Sequence, residues 1–400
     1  MFRPVSLIAV IMVSLLTACE VKINGEELKT SGKTVTQPLQ ATGFTSVRNE
    51  TFFDVRITQG TETKVDITGD ELLVPELEVS VENQQLRLRL KKKNYSFHWK
   101  QRPGTINVTM PDIRSLVQAG SGDIDLRSLK NEKLEVRTEG SGDVRLSGET
   151  AELVLTHDSS SDVDADTLAV KKLILDNNGS GDMSLGTVSA SLEVRNSGSG
   201  DITIRDAREI PARITINGSG KVEVRGPLRT LESETNGSGD LHLNNVKLDS
   251  ARVQMNSSGE GFISGNIAQL QLTVSGSGDF RTEQSVLQTA SVTINGSGNV
   301  QLGNVQSKLS ANMHGSGDFT SAADGSSELD LTLTGPGNAH LQGQAKILKA
   351  QISGSGDLIA SDLMLNTANV RVTGSSEARV KVRQANGDSR NVTVTRDGAV

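Results

Sequence analysis

The chain has 400 residues and a formal charge of −7, with 40 glycines, 35% hydrophobic side chains and only 2% aromatic ones. The negative balance disfavours general nucleic-acid binding, which rests on neutralising phosphates. A single cysteine, Cys19, excludes a disulfide within the chain. A thin core of Val, Ile, Leu and Ala with glycine-rich corners accounts for these proportions.

Residues 1–18 read as a leader. Arg3 gives a basic start, residues 5 to 16 form an apolar run too short to span a bilayer, and Leu16-Thr17-Ala18-Cys19 follows. That ending resembles the bacterial lipobox, in which cleavage precedes a lipidated cysteine. An ordinary secretory signal with a chance cysteine is the competing reading. Glu20 stands where an Asp would resemble an inner-membrane retention signal. In a Gram-negative host the resemblance therefore implies an outer-membrane lipoprotein, facing the periplasm or the cell surface. Residues 19–40 are polar and read as a tether from the lipid to the folded part.

Residues 41–118 alternate apolar and polar side chains at Val55/Ile57, Val65/Ile67, Val79/Val81, Leu86/Leu88/Leu90 and Ile106/Val108/Met110, the period-2 mark of half-buried strands. The stretch from Lys91 to Arg102 breaks the pattern. It interleaves Lys91, Lys92, Lys93, Lys100 and Arg102 with Tyr95, Phe97, His98 and Trp99, and holds the only Tyr and Trp of the chain. Aromatic faces stack on sugars or enter lipid interfaces, and cations attract phosphate or carboxylate groups. The stretch is thus a candidate site for a surface glycan, a lipid head group or a protein. The plainer reading is a loop that closes one end of the fold.

From residue 119 to 400 one turn recurs. Gly120-Ser121-Gly122-Asp123 has close copies beginning at Gly140, Ser159, Gly179, Gly198, Gly218, Gly237, Ser257, Gly276, Gly296, Gly315, Gly335, Gly354 and Gly374. A repeat of about twenty residues, with alternating strand patterns on both sides of each turn, predicts an all-β fold, a parallel β-helix or β-solenoid. The spacing alternates 20 and 19, which defines a 39-residue superperiod of two unequal halves. Two arrangements satisfy it: about 14 narrow rungs, or about seven wide ones. Gly is expected here for its tolerance of positive φ, and Asn and Asp for bonding nearby backbone.

The fourth turn residue is Asp in every first-class turn: Asp123, Asp162, Asp201, Asp240, Asp279, Asp318 and Asp357. Stacked in register, these carboxylates must stay hydrated, accept N–H bonds within their turns, or share a cation. Turn capping is the main reading and calcium the sharper alternative, although the nine-residue period of calcium-binding β-rolls is missing. Before the second-class turns stand Glu139, Asn178, Asn217, Asn256, Asn295, Thr334 and Thr373, a second candidate ladder inside or along the stack.

Gly43-Phe44, the run Phe53-Asp54-Val55-Arg56-Ile57-Thr58-Gln59-Gly60 and the later turns resemble the head-GIN domain family of autotransporter adhesins, over most of residues 41–390. The resemblance implies a pectin-lyase-like, right-handed β-helix and an adhesive role, with two tandem copies or one lengthened domain. For catalysis the residues offer little. His98, His157, His242, His314 and His340 are scattered, and neither a phosphate loop nor a nucleophile elbow is present. The expectation is a non-enzyme without cofactor. A polysaccharide lyase on a β-helix and a ligand-free periplasmic structural protein are the alternatives.

Overall fold

In this computed structural model, residues 26–27, 30–92, 95–96, 103–384, 388–395 and 398–399 are described, with 26–27 and 95–96 as paired backbone only. The leader, Cys19, and Lys93, Phe97, His98, Trp99, Lys100 and Arg102 lie outside the described residues.

Alternation within each repeat becomes a bent strand. In Ile124–Thr138, the side chains of Ile124, Leu126, Leu134 and Val136 are buried while Arg127, Glu135 and Arg137 face water. Each such strand pairs in parallel with its counterpart one repeat later. Ile124, Val144, Val163, Met183, Ile202, Val222, Leu241, Gly261, Phe280, Val300, Phe319, Ala339, Leu358 and Ala378 therefore form a single inward column. Every repeat of 19 or 20 residues is thus one rung, which selects the narrow coil over the wide one. Thirteen steps at the usual strand spacing of ~4.8 Å give a rod of roughly 60 Å. Among the described residues, 27 strands join one hydrogen-bonded sheet.

The alternation of 20 and 19 arises at the corner opposite the Gly-Ser turn. Ile124 to Leu126 align with residues 20 later, but from Leu129 onward the offset is 19, so the extra residue of the longer rung sits between Leu126 and Leu129. There Ser128 takes a φ of +56°, as does Asn245 (+61°) in a later long rung. Short rungs place glycine at this corner: Gly148 has a φ of +120°, and a Cβ on it would lie 2.3 Å from the Leu129 carbonyl oxygen.

The Gly-Ser turns use glycine for another reason. Their glycines are not in the left-handed region, contrary to the expectation from their type. What they require is close stacking: a Cβ on Gly140 would lie 2.0 Å from the carbonyl oxygen of Gly120 in the rung below. In one rung Ser159 and Ser161 replace both glycines, and their hydroxyls bond each other at 2.7 Å.

The first rung is Ser46–Asn49 with Asp54–Gln59, paired directly to Ser115–Gln118 and Ile124–Arg127. Beneath it lie Gln85–Leu90 and Gly104–Met110. These turn the stack antiparallel, onto Leu77–Glu82 and Lys64–Asp70, with Thr34–Leu39 outermost. Changing direction here covers the core and an edge that a parallel stack would leave open. Asp70, almost wholly buried, ties the incoming chain to this cap. It accepts N–H groups from Ser31 (2.9 Å), Gly32 (2.8 Å) and Leu72 (2.9 Å). Burial raises its carboxyl pKa, but those bonds outweigh it and hold the group below the ordinary range. At the other end Ala378–Arg383 pairs antiparallel with Ser389–Val394.

One inner column changes character along the rod. Asn49, Gln118, Thr138, His157, Asn177 and Asn196 are fully buried, whereas from Ile216 on the same position is apolar apart from Thr235, as at Ile294, Leu333 and Val372. The polar members bond along the stack, with Thr138 Oγ1 to His157 Nδ1 at 2.6 Å and Asn177 Nδ2 donating to Asn196 Oδ1 at 2.9 Å. Burial lowers the His157 pKa despite the nearby Asp158 and Asp162 carboxylates.

Candidate ligand-binding face

A solenoid repeats every outward side chain once per rung, so each surface position becomes a column along the rod. The turn column is the most regular. Asp123 Oδ1 accepts the backbone N–H of Asp143 at 3.1 Å, Asp143 that of Asp162 at 3.0 Å, and Asp162 that of Asp182 at 2.9 Å. The pattern resumes from Asp279 through Asn299, Asp318, Asn338 and Asp357 to Glu377, at 2.8–3.0 Å. Asp201 and Asp240 act likewise on Lys221 (2.8 Å) and Glu260 (2.7 Å). These bonds reach the next rung, whereas the sequence pointed to acceptance within the same turn. Stacking explains the difference, since the N–H of the equivalent residue above is the nearest donor. No group of three or more His, Cys, Asp or Glu that could hold a metal ion occurs among the described residues.

The asparagines before the turns form a second, exposed ladder. Asn178 Nδ2 donates to Asp158 at 2.9 Å, Asn236 to Asn217 at 3.0 Å, and Asn256 to Asn236 at 3.0 Å.

Two larger grooves run along the face formed by the second half of each strand. One, of about 1190 Å³, lies beside Lys130, Lys133, Glu135 and Glu149; the other, of about 970 Å³, beside Arg213, Glu232, Thr230 and Ser250. Several of their charges pair with one another: Lys133 with Glu135 (2.7 Å), Lys130 with Glu149 (3.2 Å) and Arg213 with Glu232 (2.6 Å). Exposed pairs of this kind contribute little to stability.

The first face carries a different row. Two residues past each turn, His242, Phe262, Arg281, Gln301, Thr320, His340 and Ile359 align in consecutive rungs. Phe44, Phe52, Phe53, Phe280 and Phe319 are buried; among the described residues only Phe262 is a partly exposed phenylalanine. Its ring meets His242 edge-on, with centroids 6.0 Å apart. Beyond it, Arg281, Gln301, Thr320 and His340 floor a trough of about 510 Å³, walled by Asp279, Asn299 and Asp318 of the turn column and by Gln342 and Asp362 at the far corner. Arg281 is engaged by Glu260. Such a trough can hold an extended polar ligand by stacking and hydrogen bonds.

Of the basic-aromatic stretch, Lys91 and Lys92 are exposed, and Tyr95–Ser96 forms a short strand parallel to Glu26–Glu27. Phe262 and the trough beside it were missed in the sequence because Phe262 and His340 belong to no local cluster. Reading the second residue after every turn as one column would have found them.

The family model described as "putative auto-transporter adhesin, head GIN domain" matches residues 43–207, 207–325 and 305–390. The chain belongs to this family. No curated protein matches it. Among solved structures it is similar to a "putative adhesin" of Parabacteroides distasonis (14% identity, 80% of this chain and 100% of that one, TM-score 0.25). It is also similar to a "putative lipid binding protein" of the same species (17%, 84% and 100%, 0.27). A third is a "putative adhesin" of Parabacteroides merdae (13%, 80% and 99%, 0.24).

Proposed function

We propose that this head-GIN protein is a non-enzymatic adhesin of the bacterial envelope, exported by its leader and anchored to the outer membrane through lipid on Cys19. The family supports an exported, adhesive role, and Leu16-Thr17-Ala18-Cys19 supports the anchor. The observation that carries the reading is the repeated outer surface: one uninterrupted stack displays the same positions rung after rung, which suits attachment to a long or repetitive partner. A calcium-loaded column is not part of the proposal, because the turn carboxylates already accept N–H groups of the next rung.

Metabolic labelling with a palmitate analogue tests the anchor: the native chain takes up label and C19A does not. Protease shaving of intact cells then tests exposure, and adhesion of a deletion strain tests the role. Unchanged adhesion without the protein, or release of unsaturated sugars from acidic polysaccharides by the purified chain, overturns this reading.

A further inference from the structure

We infer that the first-face row from Phe262 through the adjoining trough to His340 is a binding site for a neutral, linear glycan; this rests on reading the protein as a non-enzymatic binder and names what it binds.

The composition makes Phe262 informative. In a chain whose aromatic content is 2%, Phe262 leaves part of its ring in solvent and is braced edge-on by His242. An exposed, braced ring is a stacking platform for the apolar face of a sugar, provided hydrogen-bonding groups lie beside it at the spacing of the next sugars. They do. Arg281, Gln301, Thr320 and His340 follow Phe262 in register, one per rung. The spacing of ~4.8 Å per rung carries the row from Phe262 to His340 over roughly 20 Å. That length suits several sugars in a row and leaves a monosaccharide touching only one or two positions.

Charge selects among glycans. Asp279, Asp318 and Asp362 line the walls, and Glu260 already engages the one guanidinium on the floor. A uronate or sulfated chain would therefore meet carboxylates without a free counter-charge from Arg281. A neutral chain meets amide, hydroxyl and imidazole groups that both donate and accept, and its hydroxyls can donate to the wall carboxylates. The two larger grooves of the other face lack an aromatic platform.

The test uses the full-length chain in detergent and defined oligosaccharides: cellohexaose and chitohexaose as neutral probes, their monosaccharides, and a polygalacturonate hexamer. Calorimetry or glycan-array binding of at least one neutral hexamer is expected, with its monosaccharide and the acidic hexamer not binding. F262A should weaken the hexamer about tenfold, the loss of one stacked ring, in a chain that still shows a cooperative melting transition. Q301A should weaken it without touching the platform. Failure of both neutral hexamers to bind, preference for the acidic hexamer, or unchanged affinity in both variants overturns the inference. Adhesion of cells carrying F262A separates the two levels. If F262A cells adhere normally while deletion cells do not, the trough is wrong and the adhesive role stands; if deletion cells also adhere normally, the role itself falls.

Discussion

Replacing Asp318 distinguishes a hydrogen-bond acceptor from a cation ligand. Its Oδ1 accepts the backbone N–H of Asn338 at 2.8 Å and the Asn338 side-chain amide at 3.2 Å. D318A removes both bonds. Each is worth ~0.5–1.5 kcal/mol net when buried, and water replaces much of that at an exposed site, so about 1 kcal/mol is expected in total. D318N keeps the acceptor and loses only the charge. The chain has already made that exchange: Asn299 Oδ1 accepts the Asp318 N–H, and Asn338 Oδ1 the Asp357 N–H, both at 3.0 Å. D318N should therefore cost little. Because rungs of a solenoid open locally, the direct assay is hydrogen exchange of the Asn338 amide, supported by the urea midpoint. D318A should speed exchange roughly fivefold, D318N less than twofold, and calcium should alter neither. If D318N matches D318A, or if calcium slows exchange in the native chain and not in D318N, charge rather than acceptor geometry holds the column and the reasoning fails.

Three other outcomes follow from the packing. G298A places a Cβ 2.0 Å from the Gly278 carbonyl oxygen and should lower stability by ~1–3 kcal/mol, read from the urea midpoint, whereas an exposed substitution such as S297A should be nearly silent. Burial holds the His157 imidazole below its usual pKa, so the unfolded chain takes up the proton more readily. The resulting stability is complete above the unfolded value near ~6.5 and is lost as pH falls through the folded pKa; H157N should flatten that acid limb of the melting-temperature profile while the native chain keeps it. D70A frees the N–H groups of Ser31, Gly32 and Leu72 and should detach Thr34–Leu39 from the cap, seen as faster exchange and proteolysis before residue 40 with the rungs beyond Ile124 unaffected.

The turn period made most of this fold readable, because each repeat carries its own strand alternation and stacks only on its neighbours. Rung width was not readable. Twenty residues per rung and forty per rung give the same inward-outward pattern at Ile202/Ile204 and Ile214/Ile216, and only pairing of Ile202 with Val222 decides between them. The purpose of the turn glycines was also hidden, since a need for positive φ and a need for room above a carbonyl both select glycine. The cap was hidden for a different reason: Val65/Ile67 and Ile106/Val108 alternate like any strand, and their antiparallel pairing depends on partners far apart in the chain. The row is a property of columns, so Phe262 and His340, 78 residues apart in the numbering, fall in one line along the rod only once the register is known.

The corner opposite the turn sets the alternation of 20 and 19, and in part of the rod the turn column adds a second, electrostatic difference between successive rungs. Aspartates in adjacent rungs, ~4.8 Å apart, repel by roughly 1 kcal/mol in bulk water, and at twice the distance by about half of that before salt screens it further. From Asp279 to Asp357 the second-class turns carry Asn299 and Asn338, so that carboxylates alternate with amides while the acceptor ladder continues unbroken. From Asp123 to Asp201 the same ladder is made entirely of aspartates, five rungs in succession, and ends at Lys221. Between Asp279 and Asp357 the alternation thus keeps the hydrogen bonds of a uniform column while halving its charge density. The rungs between Asp123 and Asp201 forgo that relief, and it is there that ionic strength acts most on the stack.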